Sequence, residues 1–581
     1  MTGPDHPRRA RGVPGARRAA EEPGGLGGLG GRVLGVTNAG PRRPIGVSTE
    51  DARHHLHVLG PTGTGKTSLL VRLALQDAEA GRGLVVFDLS AKGDLVTDLL
   101  DRLPAACGNR LVVIDPAEQD APPSLNLLDP RLHTRRPAAP SPSGPGVAET
   151  NVLDATGGAG GPHLVAARLS EVMGRVWSRW WGSRTADIAH HGLLTLAHTP
   201  GATLAQLPRL LSDRAWRARR VGALAARLPD WESTTLAEFW AGLDELSTGG
   251  RAALVAPLLS RLRLVLSHPF AVALFGTPAT TVSLADVLDG GVLLVRLPRG
   301  LIGEDGARLI GSLLLAAVWQ AVTARAALPE NRRRDASVII DEAQHVLHLP
   351  IGIDDALAEA RGLHVSFTLA HQYLGQLSDT MARAIDANAR TKAYFALAPR
   401  DARDQARHLA PYLDESDLSG LGAFEIVLRP LADGRLLPPA TATTLPPPPP
   451  ISGRAEALRA AARTHTGLDQ TTRRALRVGH LDAPARPAHT GARQPFPSER
   501  PFPAAEFFSA THPDASARRP LSDVPTEAAG LPGAPPRTGF PVAHRRSSSP
   551  YPPWASHPSR DLSDEPTTTP DEQETPWNTS L

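Results

Sequence analysis

Short apolar segments bounded by turn residues recur through the middle of the chain. They lie at residues 57–59, 84–87, 111–114, 292–297, 338–340, 365–370, 393–397 and 424–428. Uninterrupted apolar runs of this length are typical of strands that are buried on both faces of a parallel sheet. The pattern therefore predicts a mainly parallel sheet.

Helical spacing of apolar residues separates several of these predicted strands. Residues 68–79 follow the first strand with this spacing, and residues 307–326 precede the strand at 338–340. Strands that alternate with helices in this way are typical of a doubly wound α/β domain. The fold class predicted from the pattern is therefore α/β.

The segment from 162 to 275 has a different pattern. Its apolar residues recur at spacings of three and four, as in Leu204, Leu207, Leu210 and Leu211, and it contains no strand-like run. We predict an all-α insertion there. The α/β domain would then consist of two parts, residues 46–161 and 276–444.

Both ends of the chain have a composition that disfavours folding. Residues 1–45 are rich in Arg, Pro and Gly, and residues 445–581 open with a proline run and stay polar and proline-rich. Such segments cannot bury enough apolar surface to offset the conformational entropy of ordering. We predict two disordered tails.

Composition and charge exclude some classes of protein. The 581 residues carry 62 basic and 59 acidic side chains, so the net charge of +3 gives no electrostatic indication of nucleic-acid binding. Cys107 is the only cysteine, which excludes a disulfide framework. The best apolar stretch, 309–319, is shorter than the roughly 18 residues that span a bilayer. We predict a cytoplasmic protein without a membrane span of its own.

A phosphate-binding motif follows the first predicted strand. The segment from Gly60 to Thr67 has the form G-x-x-x-x-G-K-T and precedes a helical pattern, which is the order of strand, P-loop and helix. Backbone N–H groups of such a loop bind phosphate oxygens, Lys66 reaches the β- and γ-phosphates, and the Thr67 hydroxyl binds Mg²⁺. The sequence predicts ATP and Mg²⁺ as ligands. The predicted nucleotide-binding residues are Gly60, Pro61, Thr62, Gly63, Thr64, Gly65, Lys66, Thr67 and Ser68.

Polar residues at two strand ends complete the predicted site. The strand at 338–340 is followed by Asp341 and Glu342. Asp341 would hold the water shell of Mg²⁺, and Glu342 would orient and deprotonate the attacking water. Gln372, after the strand at 365–370, would sense the γ-phosphate. The alternative for each is an ordinary polar cap of a strand or helix.

Several motifs together resemble the HerA and FtsK superfamily of P-loop ATPases. Within that superfamily they resemble the conjugative DNA-transfer ATPases of the TraD and TraG type, the coupling proteins of type IV secretion. The resemblance covers about residues 45 to 440 and implies a RecA-like ATPase domain. It is carried by Gly60 to Ser68, Lys92-Gly93-Asp94-Leu95, Asn126-Leu127-Leu128, Asp341-Glu342-Ala343-Gln344, Leu357-Ala358-Glu359-Ala360-Arg361, Ala370-His371-Gln372-Tyr373-Leu374 and Asn388-Ala389-Arg390-Thr391-Lys392.

The resemblance implies an assembly and a substrate. It implies a homo-hexameric ring with ATP at the subunit interfaces and a central channel that moves DNA or a nucleoprotein. Arg361 matches the arginine finger of the family, which reaches the γ-phosphate of the neighbouring subunit. From its position alone, Arg361 would only complement the dipole at a helix end. The resemblance also implies a secretion channel or membrane-anchored partner at the inner face of the cell membrane.

The sequence departs from the family pattern in two places. The turn from Asp88 to Asp94 is longer than usual and lacks proline, and the membrane helices that many coupling proteins have are absent. Two alternatives therefore stay open. One is a cytosolic HerA-like motor in DNA repair or defence, and the other is a receptor that recruits secreted proteins with ATP as an assembly switch.

Other polar clusters give weaker predictions. The helix predicted at 213–228 carries Arg214, Arg217, Arg219, Arg220 and Arg227 beside Trp216, which would form either a DNA-binding face or a solvated one. The histidines show no metal-ligand spacing with cysteine or acidic partners. No metal beyond Mg²⁺ is predicted.

Overall fold

The structure, a computed structural model, describes residues 31–129, 132, 161–349 and 351–481. Predicted disorder at residues 1–30 and 482–581 lies outside the described residues. So does most of the loop between residues 130 and 161.

An eleven-stranded sheet forms the centre of the described chain, in the order β2-β1-β13-β10-β9-β3-β8-β7-β4-β6-β5. A separate ribbon pairs β11 with β12. The strands are β1 Arg32–Thr37, β2 Pro44–Val47, β3 Leu56–Leu59, β4 Gly83–Asp88, β5 Leu111–Ile114, β6 Val292–Arg296, β7 Ala336–Asp341, β8 Val365–His371, β9 Thr391–Tyr394, β10 Glu425–Arg429, β11 Leu431–Ala432, β12 Arg435–Leu436 and β13 Ala440–Thr443.

The prediction of a mainly parallel α/β sheet is confirmed. Strands β9, β3, β8, β7, β4, β6 and β5 run parallel, and β10, β13, β1 and β2 extend the sheet antiparallel. Strand β8 lies between β3, which leads into the P-loop, and β7, which ends in Asp341. Parallel pairing brings the carboxyl ends of these strands to one edge, where α/β sheets bind ligands.

Helices cover both faces of the sheet, and the side chains of β4 alternate between two cores. Val85 and Phe87 pack into one core with the helix Glu304–Ala324 and the helical segment, whereas Leu84 and Val86 pack into the other with the helices Lys66–Glu79 and Asp94–Leu100. The helices are α1 Thr49–Ala52, α2 Lys66–Glu79, α3 Asp94–Leu100, α4 Pro162–Val176, α5 Ser183–Ala197, α6 Leu207–Ser212, α7 Arg214–Ala225, α8 Asp230–Glu245, α9 Thr248–Leu266, α10 Pro269–Phe275, α11 Leu284–Leu288, α12 Arg299–Ile302, α13 Glu304–Ala324, α14 Ile353–Gly362, α15 Asp379–Asn388, α16 Pro399–Ala406, α17 Glu415–Ser419, α18 Arg454–Thr466 and α19 Gln470–Leu481.

The described part of the segment between β5 and β6 contains helices α4 to α11 and no strand. Its core is continuous with that of α13 and one face of the sheet. The region around α13, 304–327, is long and apolar enough to cross a membrane, but 83% of its apolar window is buried inside the fold. This burial is typical of the core helix of a globular domain.

The predicted inner boundaries of both tails are wrong. In the N-terminal segment, β1 joins the sheet and buries Leu34, which is 1% exposed. In the C-terminal segment, α18 packs on the sheet through Leu458, 2% exposed, and Arg459 pairs with Asp115 at 2.8 Å. Composition averaged over a long segment hid these short apolar patterns, because a single strand or helix needs only a few buried side chains.

Candidate nucleotide-binding site

The P-loop connects β3 to α2 and depends on glycine at two positions. Gly63 and Gly65 have φ angles of +85° and +113°, which residues with a Cβ atom rarely adopt. A Cβ at Gly65 would also lie 2.7 Å from the ring of Phe424. Helix α2 begins at Lys66, so its free N–H groups and positive dipole end point into the loop. This is a ready anion-binding arrangement.

Lys66 is buried against the loop that precedes it. Its Nζ donates to the carbonyl oxygens of Gly60, at 2.6 Å, and Pro61, at 3.1 Å. Burial lowers the pKa of Lys66, while the negative charges of Asp341 and Glu342 counteract part of this effect. The amine therefore lies between the loop and the two carboxylates that the sequence assigned to the same site.

Asp341 lies close to two other carboxyl groups, those of Asp88 and Glu342. Strand register places it beside Asp88, and it accepts a hydrogen bond from the backbone N–H of Glu342 at 3.0 Å. Burial, followed by the charges of Asp88 and Glu342, raises the pKa of Asp341 to about 7. Negative groups held this close together are suited to a divalent cation, which removes both the desolvation and the repulsion that raise the pKa.

Glu342 is fixed by two amide side chains. Its Oε1 accepts from Gln372 Nε2 and its Oε2 from Gln344 Nε2, each at 2.6 Å. The backbone of Glu342 has a φ of +55°, an uncommon angle for a residue other than glycine, of the kind that clusters at functional sites. The orientation of the buried Glu342 carboxylate is therefore fixed by the uncommon backbone conformation and by hydrogen bonds to both carboxylate oxygens.

The cleft between these groups has a volume of about 450 Å³. The structure brings the predicted residues Lys66, Thr67, Asp341, Glu342 and Gln372 together in it. Among the remaining predicted nucleotide-binding residues, the cleft is also lined by Thr62, Gly63, Gly65 and Ser68. Gly60, Pro61 and Thr64 are not among the lining residues, and the chemical roles of the predicted residues stay a prediction.

The turn from Asp88 to Asp94, which differs from the family pattern, forms one wall of the cleft. The buried Asp88 carboxylate accepts from Ser90 Oγ at 2.7 Å and from the backbone N–H of Val96 at 3.1 Å. These bonds fold the turn so that Ser90, Lys92 and Asp94 line the cleft. The turn thus has a structural role although it lacks the proline of the family pattern.

Sequence reasoning predicted a site role neither for the lining residues of the turn after β4 nor for Arg299 and Phe424, which also line the cleft. Arg299 starts α12 just after the carboxyl end of β6, and its buried Nε has no hydrogen-bond partner among the described residues. The rule that strand ends carry ligands would have indicated it. Phe424 has a φ of +65° and donates its N–H to Thr64 O at 2.9 Å. No sequence signal indicated this contact.

Arg361 does not join the cleft. It is exposed at the end of α14, before the amino end of β8, whereas Gln372 follows the carboxyl end of that strand. The seven residues of β8 span roughly 20 Å. Arg361 therefore lies at the opposite edge of the sheet from the P-loop of its own chain.

The predicted basic helix is only partly exposed. Arg217 is 1% exposed, pairs with Asp244 and donates to Leu210 O at 2.7 Å. Trp216 is 2% exposed, and the guanidinium groups of Arg209 and Arg220 lie over its ring. These two residues belong to the core of the helical segment and not to a DNA-binding face.

No family model matches the chain, and no curated protein matches it. Among solved structures, it is similar to the plasmid coupling protein TrwB in complex with ADP and Mg²⁺, with 18% identity, a TM-score of 0.47, and coverage of 77% of this chain and 96% of that one. It is also similar to VirB4 of Thermoanaerobacter pseudethanolicus, with 13% identity, a TM-score of 0.43, and coverage of 74% and 98%.

A shorter match is the genome packaging NTPase B204 from Sulfolobus turreted icosahedral virus 2, with 15% identity, a TM-score of 0.19, and coverage of 28% of this chain and 72% of that one. Sequence identities and TM-scores this low do not support a conclusion about function. The solved structures to which this chain is similar include conjugative coupling proteins.

Proposed function

We propose that this protein hydrolyses ATP with Mg²⁺. The observation that carries the proposal is the convergence of the P-loop, Lys66, Asp341, Glu342 and Gln372 on one cleft. Backbone N–H groups of the loop and the first turn of α2 bind the phosphates. The Lys66 amine exchanges its carbonyl partners for phosphate oxygens, which bear more negative charge.

The carboxylates of the cleft fit a magnesium ion. Thr67 offers a hydroxyl at the start of α2, and Asp341 is a buried carboxyl group whose pKa is raised by burial and by nearby negative charge. When bound, Mg²⁺ neutralises charge on the transferred phosphoryl group. Thr67 and the water shell held by Asp341 position it.

Glu342 acts as the general base. Its carboxylate takes a proton from a water molecule, whose oxygen attacks the γ-phosphorus while the bond to the β–γ bridging oxygen breaks and ADP leaves. Gln344 and Gln372 hold the carboxylate in place through their amide N–H groups. Gln372 both contacts the base and lines the cleft, so it would couple a bound γ-phosphate to the position of the Glu342 carboxylate.

We further propose that hydrolysis drives DNA through a homo-hexameric ring, as in the coupling proteins that the motifs resemble. Arg361 is exposed at the far edge of the sheet, so any nucleotide on which it acts would belong to a neighbouring subunit, as the arginine finger of the resemblance implies. A secretion-channel or membrane-anchored partner would hold the ring at the cytoplasmic face of the membrane.

The test is steady-state ATP hydrolysis by the full chain with and without single- and double-stranded DNA, with Lys66→Ala as the inactive control. DNA-stimulated hydrolysis supports the motor and shows which strand form is the track. Hydrolysis that is indifferent to DNA refutes the motor and favours the alternative of a protein-recruiting receptor. DNA stimulation without any association with a secretion channel favours the cytosolic repair or defence motor.

The role of Arg361 has its own test. Arg361→Ala subunits should bind ATP normally but hydrolyse it slowly. Mixing them with Glu342→Gln subunits should restore hydrolysis, because some interfaces then combine an intact base with an intact arginine. If the mixture stays inactive while mixed assemblies form, the arginine does not act across an interface.

A further inference from the structure

A cluster of metal-ligating side chains lies in the helical segment, outside the nucleotide cleft. It consists of His163 in the first turn of α4, His198 directly after α5, and Glu232 in the first turn of α8. One ligand atom from each lies within 4.8 Å of the other two. The three residues are far apart in sequence, so no spacing motif indicated them.

Both imidazoles approach the same carboxylate oxygen. His198 Nε2 lies 2.8 Å from Glu232 Oε1, and His163 Nε2 also contacts this oxygen. The Glu232 residue is only 7% exposed, and a buried carboxylate requires a compensating positive charge. Two imidazoles supply that charge only when protonated, whereas a divalent cation supplies it with neutral imidazoles.

The surroundings hold the three groups in place and leave one side open. The His163 ring stacks on Trp231 and meets the His198 ring edge to face at 5.6 Å between centroids. His198 and Glu232 have side chains that are 9% exposed, whereas that of His163 is 53% exposed. Solvent therefore reaches the cluster from the side of His163.

We propose that His163, His198 and Glu232 bind one transition-metal ion of the zinc class. Two imidazole nitrogens and one carboxylate oxygen are a ligand set that such ions prefer, and water from the open side completes the coordination. Tetrahedral ligands at zinc distances lie about 3.3 Å apart. The exposed His163 side chain can rotate outward to reach that separation, and the 2.8 Å between His198 Nε2 and Glu232 Oε1 would widen by about 0.5 Å. The ion would tie together the ends of α4, α5 and α8.

The experiment uses the full chain, freed of metal with a chelator and supplied with excess Mg²⁺ to occupy the nucleotide cleft. Zn²⁺ is titrated by calorimetry, and Co²⁺ is followed by its visible absorption, which reports coordination geometry. We expect one equivalent to bind to the wild type and to raise its unfolding temperature. In His198→Ala the affinity should fall by more than the roughly 10- to 100-fold that loss of an outer-shell partner costs.

The matched control is His408→Ala. His408 Nε2 also lies 2.8 Å from a carboxylate, that of Asp386, but Lys392 and Arg407 pair with this carboxylate, so no metal should be bound there. His408→Ala should leave the bound equivalent of Zn²⁺ unchanged. Circular dichroism of each variant checks that it is folded.

Glu232→Gln separates a metal site from a simple hydrogen-bonded cluster. The amide oxygen still accepts hydrogen bonds from imidazole N–H groups, but the negative charge for a metal is lost. A metal site predicts that Zn²⁺ raises the unfolding temperature of the wild type and not that of Glu232→Gln. The proposal is overturned if Zn²⁺ has no effect on the wild type, or if the wild type and the folded His198→Ala variant bind it equally.

Discussion

Replacing Glu342 with glutamine tests the proposed base without changing the shape of the side chain. General-base catalysis contributes about 10²- to 10⁴-fold to a rate. At about 1.4 kcal/mol for each tenfold change, Glu342→Gln should raise the activation barrier by about 3–5 kcal/mol. Binding of ATP should be retained, because the phosphates are expected to bind to the P-loop and Lys66, which line the cleft, and not to this carboxylate.

The fold should tolerate this substitution. The partners of the Glu342 carboxylate are the neutral amides of Gln344 and Gln372, and a glutamine oxygen at position 342 can still accept one of these bonds. The Nε2 group of the new glutamine would then face the Nε2 group of the other amide. A flip of that amide places its oxygen there instead, so that it accepts a hydrogen bond. Exchanging two charge-assisted hydrogen bonds for neutral ones, while burying a neutral group in place of a charge, should change the free energy of unfolding by about 1 kcal/mol.

The assay measures binding of a fluorescent ATP analogue and steady-state release of phosphate from the same preparation. Glu238→Gln, an exposed position on α8, is the matched control and should hydrolyse ATP as the wild type does. If Glu342→Gln binds the nucleotide and releases phosphate at the wild-type rate, Glu342 is not the base. If it fails to bind the nucleotide, the carboxylate serves binding and the reasoning from its geometry is wrong.

Three further predictions follow from the cleft and from helix α18. Arg299→Ala should weaken ATP binding by about 10- to 100-fold, the range for a lost charged hydrogen bond, and Arg299→Lys should recover part of it in a nucleotide titration. The pKa of Asp341 is raised to about 7, so ionisation destabilises the fold. Thermal unfolding without Mg²⁺ should show stability falling as pH rises from about 4 to about 7 and levelling off above it, and Asp341→Asn should remove that fall. Leu458→Ala should lower the free energy of unfolding by about 2–5 kcal/mol in a urea titration, whereas a disordered tail would give no change.

The sequence by itself determined the parallel core and the residues at its carboxyl edge. Continuous apolar runs indicate burial on both faces, and motifs with local geometry locate the P-loop, Asp341-Glu342 and Gln372 along the chain. These signals survive without tertiary information because each is encoded within a few consecutive residues. The positions of Lys66, Asp341, Glu342 and Gln372 could therefore be predicted.

Only the tertiary structure decided which distant residues meet. Arg299 and Phe424 reach the cleft from β6 and β10, and Asp88 raises the pKa of Asp341 through strand pairing. The same holds for α18, whose few buried side chains fix a segment that composition assigned to a disordered tail. Contacts between residues hundreds of positions apart arise from packing, and the local pattern that predicts an element does not specify its neighbours.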